Sequence, residues 1–206
     1  YKLPKVDIKK YIDNKNSIVF AKYHNIEFLK EFLKEVFLLN RFSLRDIEKA
    51  YYYIELLLPL IKEFNSSDKE FIDIYYLVIC YIYAILIGIK IKNPILYKKI
   101  IDVDFNLNEV MNEFNIPNYT YYNNHISGWH PQQLQKVISP LFETYLKLIL
   151  KIKEVQDIYT LDSDDFIVGL KKEDDTYISQ HSINLLGLFR ESNLNIHTKL
   201  DFLEGF

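Results

Sequence analysis

Apolar residues recur at steps of three and four along two N-terminal stretches, and this period predicts amphipathic helices. In the first, Leu29, Phe32, Leu33, Val36, Phe37 and Asn40 follow that spacing, Lys30, Glu31, Lys34 and Glu35 take the other side, and Asn25 is placed to cap the start. In the second, Leu44, Ile47, Tyr51, Ile54, Leu58 and Ile61 form one seam that opens at Ser43. Pro59 should kink or end that helix, since proline cannot donate to the carbonyl four residues back. A polar break, Asn65-Ser66-Ser67-Asp68, precedes a run through Ile91 that is apolar nearly all round, as in a helix at the centre of a bundle. Asn93-Pro94 then starts a short helix, with proline in the first turn where no N–H is needed.

Past residue 101 the pattern is less regular. It predicts a short helix over Asn106 to Phe114, a loop from Asn115 to Tyr119, and a Pro131-headed helix from Gln133 to Lys153 interrupted or bent at Pro140. Phe166 to Leu170 reads as a short strand, with Tyr177-Ile178 as its partner across an acidic turn. Helical patterns resume at Ser182 to Glu191 and Ile196 to Leu203. The expected fold is therefore all-α, an irregular multi-helix bundle with one short β-hairpin near residues 166–178. Residues 1–101 form a first helical bundle, and residues 102–206 a C-terminal helical extension that can pack with it as one domain.

Composition narrows this picture. A hydrophobic fraction of 49% over 206 residues fills a sizeable core, and 5 Gly with 6 Pro supply too few turns for a sandwich or barrel. A net charge of -3 gives no general attraction to nucleic acid. The single cysteine, Cys80, excludes an internal disulfide and reads as a buried, inert thiol, which suits a reducing, cytoplasmic compartment. Ile74 to Ile89 is the one membrane candidate, but its apolar length falls short of the ~20 residues of a spanning helix. Its four tyrosines are also spread through the run, as in a core helix. The start at Tyr1, without Met or a secretory leader, predicts a piece of a longer chain.

Chemistry-bearing motifs are few. The sequence has no G-x-x-x-x-G-K-[ST] loop, no G-x-G-x-x-G, no G-x-S-x-G, no CxxC and no HExxH. His125, Trp129 and His130 lie close together, yet no carboxylate or cysteine stands at ligand spacing, so they read as a loop packing the tryptophan. His24, His181 and His197 are scattered, and the acidic stretches at Asp162 to Asp165 and Glu173 to Asp175 lack the ligand order of a calcium loop. No metal site and no bound cofactor is expected in this chain. The lysine-rich helix faces read as solvated surface.

Arg45 stands out. Ser43 with Asp46 three residues on is a capping-box variant, which puts Arg45 in the first helical turn, where the macrodipole disfavours a cation. Only three arginines occur against 22 lysines, and Arg41 and Arg45 flank this one cap. Two readings stand level: an anion site of two guanidinium forks beside free amide donors, or an ion pair from Arg45 to Glu48 with no further role.

Phe42-Ser43-Leu44-Arg45-Asp46-Ile47-Glu48-Lys49 resembles a motif of the KAP family of P-loop NTPases, downstream of the nucleotide-binding core. Leu3-Pro4-Lys5-Val6-Asp7-Ile8-Lys9-Lys10-Tyr11-Ile12 resembles the stretch where the last core strand gives way to the helical region, and Lys92-Asn93-Pro94-Ile95-Leu96-Tyr97 a proline-tyrosine turn after the apolar helix. The resemblance covers about residues 1 to 101, half the chain, and does not extend to residues 102 to 206. It implies a helical lid and C-terminal extension of a larger ATPase in which ATP and Mg are held by an N-terminal NTPase core not contained here. By the same resemblance Arg45, with Arg41 second, becomes a candidate sensor of nucleotide phosphates, and bacterial members imply a role in phage defence. Family members often carry membrane segments elsewhere, so the full-length protein could be membrane-associated. The alternative is a helical interaction module without nucleotide chemistry, binding a partner protein or a second copy of itself. A stand-alone enzyme built on the His125 to His130 loop ranks last.

Overall fold

In the computed structural model, which describes residues 7–19, 27–60, 69–117, 140–155, 157–168 and 183–192, the fold is all-α, with 81% of these residues helical. The helices are α1 (Ile8–Val19), α2 (Glu27–Leu39), α3 (Leu44–Leu57), α4 (Lys69–Lys92), α5 (Pro94–Ile101), α6 (Leu107–Glu113), α7 (Leu141–Glu154) and α8 (Leu185–Ser192). Asn25, the His125 to His130 loop, His24, His181, His197, Glu173 to Asp175, and the helical stretch Ile196 to Leu203 all lie outside the described residues.

The apolar run is the centre of the bundle. Every residue of α4 from Tyr75 to Ile89 is buried, and α2, α3, α5 and α7 pack around it. At 24 residues α4 outlasts its apolar run, and the window Tyr75–Lys92 has the length and hydropathy of a membrane span; 83% of it is buried within the fold, as for a core helix. α2 lies closest, and Gly88 explains how. A Cβ there would sit 2.6 Å from Val36 Cγ1 and 2.7 Å from Phe114 Cζ, both buried side chains, so only glycine lets α2 and the segment after α6 close on α4.

α3 ends at Leu57 and passes into a 3₁₀ turn, Leu58–Leu60, at Pro59 as the sequence predicts. α1 is an addition to the predicted elements. Asp7 Oδ1 accepts from the Lys10 N–H at 3.2 Å to start it. Asn16, buried, then ties it to two helices: its Oδ1 accepts from the Tyr51 hydroxyl at 2.6 Å and its Nδ2 donates to the Lys30 carbonyl at 3.4 Å.

α2 and α5 end alike. After α2, the Phe42 N–H donates to the Phe37 carbonyl (2.9 Å) and the Arg41 N–H to the Leu38 carbonyl (3.3 Å), with Arg41 left-handed at φ 49°. After α5, the Asp104 N–H donates to the Lys99 carbonyl (2.8 Å) and the Val103 N–H to the Ile100 carbonyl (3.1 Å), with Val103 at φ 51°. Both are Schellman motifs whose left-handed residue, ordinarily glycine, carries a side chain.

In the C-terminal half, α7 begins after Pro140 and packs on α4, α6 and α8, and one continuous core runs from Ile12 to Phe189. The short strand forms at Ile167–Val168, but it pairs antiparallel with Ile183–Asn184. Tyr177-Ile178, the partner expected from sequence, lies outside the described residues. The reason for the later partner is α8, whose Leu185, Leu186, Leu188 and Phe189 are buried and deliver the preceding two residues to the strand. Arg190 holds the facing turn, donating to the Ile158 and Leu161 carbonyls at 2.8 Å each. That makes it a structural arginine.

Candidate functional site

The corner between α2 and α3 is organised by one carboxylate. Ser43 caps α3: its Oγ accepts from the Asp46 N–H at 3.2 Å, and Asp46 Oδ2 accepts from the Ser43 N–H at 3.0 Å, which completes the predicted capping box. The same Oδ2 takes Lys92 Nζ, at the end of α4, at 2.8 Å. Lys92 also donates to the Arg41 carbonyl at 3.4 Å and lies 4.7 Å from the centre of the Phe42 ring. Partial burial pushes the Asp46 carboxyl up, but the hydrogen bonds from Lys92 and Ser43 outweigh it and hold it below the ordinary carboxylate value. Lys92 and Asp46 lie 46 residues apart in sequence, so the fold brings the end of α4 onto the head of α3.

Arg41 and Arg45 are both exposed, and neither guanidinium has a partner among the described residues. The ion pair from Arg45 to Glu48 does not form, because Glu48 Oε2 takes Lys15 Nζ of α1 at 3.0 Å. Of the amides at the head of α3, Asp46's is used by Ser43, while those of Leu44 and Arg45 have no acceptor among the described residues. An incoming anion thus finds two N–H groups and two guanidinium forks, with the Asp46 carboxylate already neutralised by Lys92.

One turn further along α3 the same face enters a cleft of about 520 Å³ between α3 and the α4–α5 bend. α3 contributes Lys49 and Tyr53, the end of α4 contributes Lys90, and α5 contributes Pro94, Tyr97 and Lys98. The Lys90 ammonium sits 4.7 Å from the centre of the Tyr97 ring and 5.1 Å from that of Tyr53. Sequence inspection misses this cleft because its three lysines come from three elements and each, taken alone, reads as a solvated surface residue.

Other reactive groups offer less. Cys80 is buried, and desolvation pushes its thiol far above the ordinary range, as expected for an inert residue. Glu35, half-buried on α2, is pushed up to about 7, by desolvation first and the Glu31 charge second, but it does not line the cleft. Asp162 Oδ1 accepts from the Asp164 N–H at 3.0 Å, so that acidic stretch caps a 3₁₀ turn. Among the described residues no three His, Cys, Asp or Glu stand together to hold a metal. Comparison with family models, curated proteins and solved structures found no match for this chain.

Proposed function

We propose that this chain is the helical lid and regulatory region of a KAP-type P-loop ATPase, in the setting of phage defence, coupling nucleotide state to conformational change without a complete catalytic site of its own. ATP and Mg belong to the NTPase core, which is this region's first partner. The observation that carries the reading is Arg45: a cation in the first turn of α3 costs helix stability, and the two acids nearest in sequence, Asp46 and Glu48, pair with Lys92 and Lys15. A guanidinium so placed is available to phosphates across an interface, where it stabilises charge that develops in phosphoryl transfer. In the protein carrying the core, Arg45→Ala should lower ATP turnover by about 100-fold or more, the scale of a lost electrostatic donor. Arg45→Lys should restore little, because the ammonium lacks the planar fork. Unchanged turnover and ATP affinity in Arg45→Ala would sink the reading.

A second reading, a helical interaction module without nucleotide chemistry, is favoured by Leu38, Leu39 and Leu44, which are exposed at the same corner. It expects Leu38→Ser with Leu39→Ser to abolish association with a protein partner or a second copy, while Arg45→Ala leaves association intact. Pull-down and sedimentation of the two variants separate the readings.

A further inference from the structure

We propose that the cleft between α3 and the α4–α5 bend binds a small molecule carrying two or more linked phosphate groups. The inference uses Lys49, Lys90 and Lys98 and holds whether or not the bundle acts as a lid.

Sign of charge is the first argument. The chain carries a net charge of -3, yet three lysines and no carboxylate line this cleft. Lys49 and Lys98 are exposed, so their mutual repulsion is small, but three ammonium groups on one cleft raise the local positive potential, which favours an anion. The Lys49 ammonium has no acceptor among the described residues. Lys98 pairs with Asp102 at 3.2 Å, and that pair is exposed, of the kind worth ~0–1 kcal/mol, so a stronger anion can compete with it.

Size and shape supply the second. About 520 Å³ exceeds what a single ion needs and falls within the ~300–1,000 Å³ of small-molecule sites. The Lys90 ammonium is positioned by the Tyr53 and Tyr97 rings, which form an aromatic wall beside the charges. Half-buried Tyr53, with no hydrogen bond from its hydroxyl among the described residues, adds a neutral donor one turn along α3 from Lys49. Three point charges with a hydroxyl suit phosphate oxygens, which lysine binds without the fixed geometry of an arginine fork. Two linked phosphates, together carrying about three negative charges near neutral pH, match three ammonium groups better than one phosphate does.

Inorganic pyrophosphate and a nucleoside diphosphate share this chemistry, and titration calorimetry of the 206-residue chain with pyrophosphate and with ADP distinguishes them. The expected result is saturable one-to-one binding of at least one, stronger near 0.01 M salt, where the Debye length is about 30 Å, than at 0.15 M, where it is about 8 Å. Lys49→Gln with Lys98→Gln should weaken it by about tenfold or more, with circular dichroism unchanged. Lys147→Gln with Lys151→Gln, on the surface of α7, should leave it as it was. Preference for ADP would assign the tyrosine wall to the base, and preference for pyrophosphate would assign recognition to the phosphates alone; either supports the site. No saturable binding of either probe, or equal loss in the α7 variant, overturns it.

Discussion

The corners after α2 and α5 share a backbone and differ in what holds them. Each closes with the same pair of hydrogen bonds, each puts a non-glycine residue at φ near 50°, and each offers that residue's carbonyl to a lysine from another helix. At the α5 corner Lys153 of α7 donates to the Val103 carbonyl at 2.7 Å, Lys99 pairs with Glu109, and Lys98 pairs with Asp102. Its lysines are paired within the chain, although the Lys98–Asp102 pair is itself exposed. At the α2 corner an apolar contact carries the turn, Phe37 against Phe42 with ring centres 4.9 Å apart, and both arginines stay exposed and unpaired among the described residues. Similar geometry thus serves one corner as an internal brace and leaves the other with charge to offer outward.

The largest test removes the apolar contact. Phe42 is buried, so Phe42→Ala should cost about 3–4 kcal/mol in urea unfolding, whereas Asp104→Ala, at the equivalent position of the other corner, should cost less than ~0.5 kcal/mol. Equal losses would erase the distinction.

Next comes the cap. Asp46→Ala removes both the reciprocal capping bond and the tie to Lys92, and should cost about 1–2 kcal/mol near neutral pH. Because the folded state lowers the Asp46 pKa below 3.8, its contribution is present above that value and is lost as pH falls through it toward the folded pKa. Wild type and Asp46→Ala should therefore converge in stability as the pH falls below the folded pKa, on the acid side of an ordinary carboxylate. A constant gap at all pH values would mean that the carboxylate's charge plays no part.

Smaller effects of opposite sign are expected at the two left-handed residues. Val103 is β-branched and lies outside the packed core, so Val103→Gly should stabilise by about 1 kcal/mol. Arg41→Gly should stabilise by somewhat less, ~0.5 kcal/mol, since an unbranched residue tolerates this conformation better. If Arg41 has an outward role, that gain in thermal stability should come with loss of whatever Arg45→Ala loses. A stabilised Arg41→Gly protein with full activity would reduce Arg41 to a strained turn residue.

Much of this was legible in the sequence where one period or one local motif governs. The α2 seam, the α3 seam from Ile47 to Leu58, the stop at Pro59, the capping box at Ser43 and the buried character of Cys80 all follow from spacing or from a single residue's chemistry, whereas Leu44 of the predicted α3 seam is exposed and Ile61 lies outside the described residues. α1 was not read from spacing because its polar residues dilute the pattern; Asp7 ahead of Ile8, Tyr11, Ile12 and Val19 was the available signal. The two Schellman turns were illegible because Arg41 and Val103 stand where glycine would announce them. The place of Arg45 in the first turn of α3 follows from the Ser43 cap, but the fate of Glu48 depended on Lys15, which lies 33 residues away. The lysine cleft is hidden for the same reason: its members meet only after α3, α4 and α5 have packed.

Gly88 carries a consequence for sequence change over time. With a Cβ there falling within 3 Å of both Val36 and Phe114, position 88 cannot enlarge alone. An alanine at 88 should be found only in chains that have shortened residue 36 or residue 114, so these three positions, separated by 52 and 26 residues along the chain, are expected to vary together. The centre of the bundle is thereby locked as a trio, while the exposed side chains of Arg41 and Arg45 are under no such packing limit.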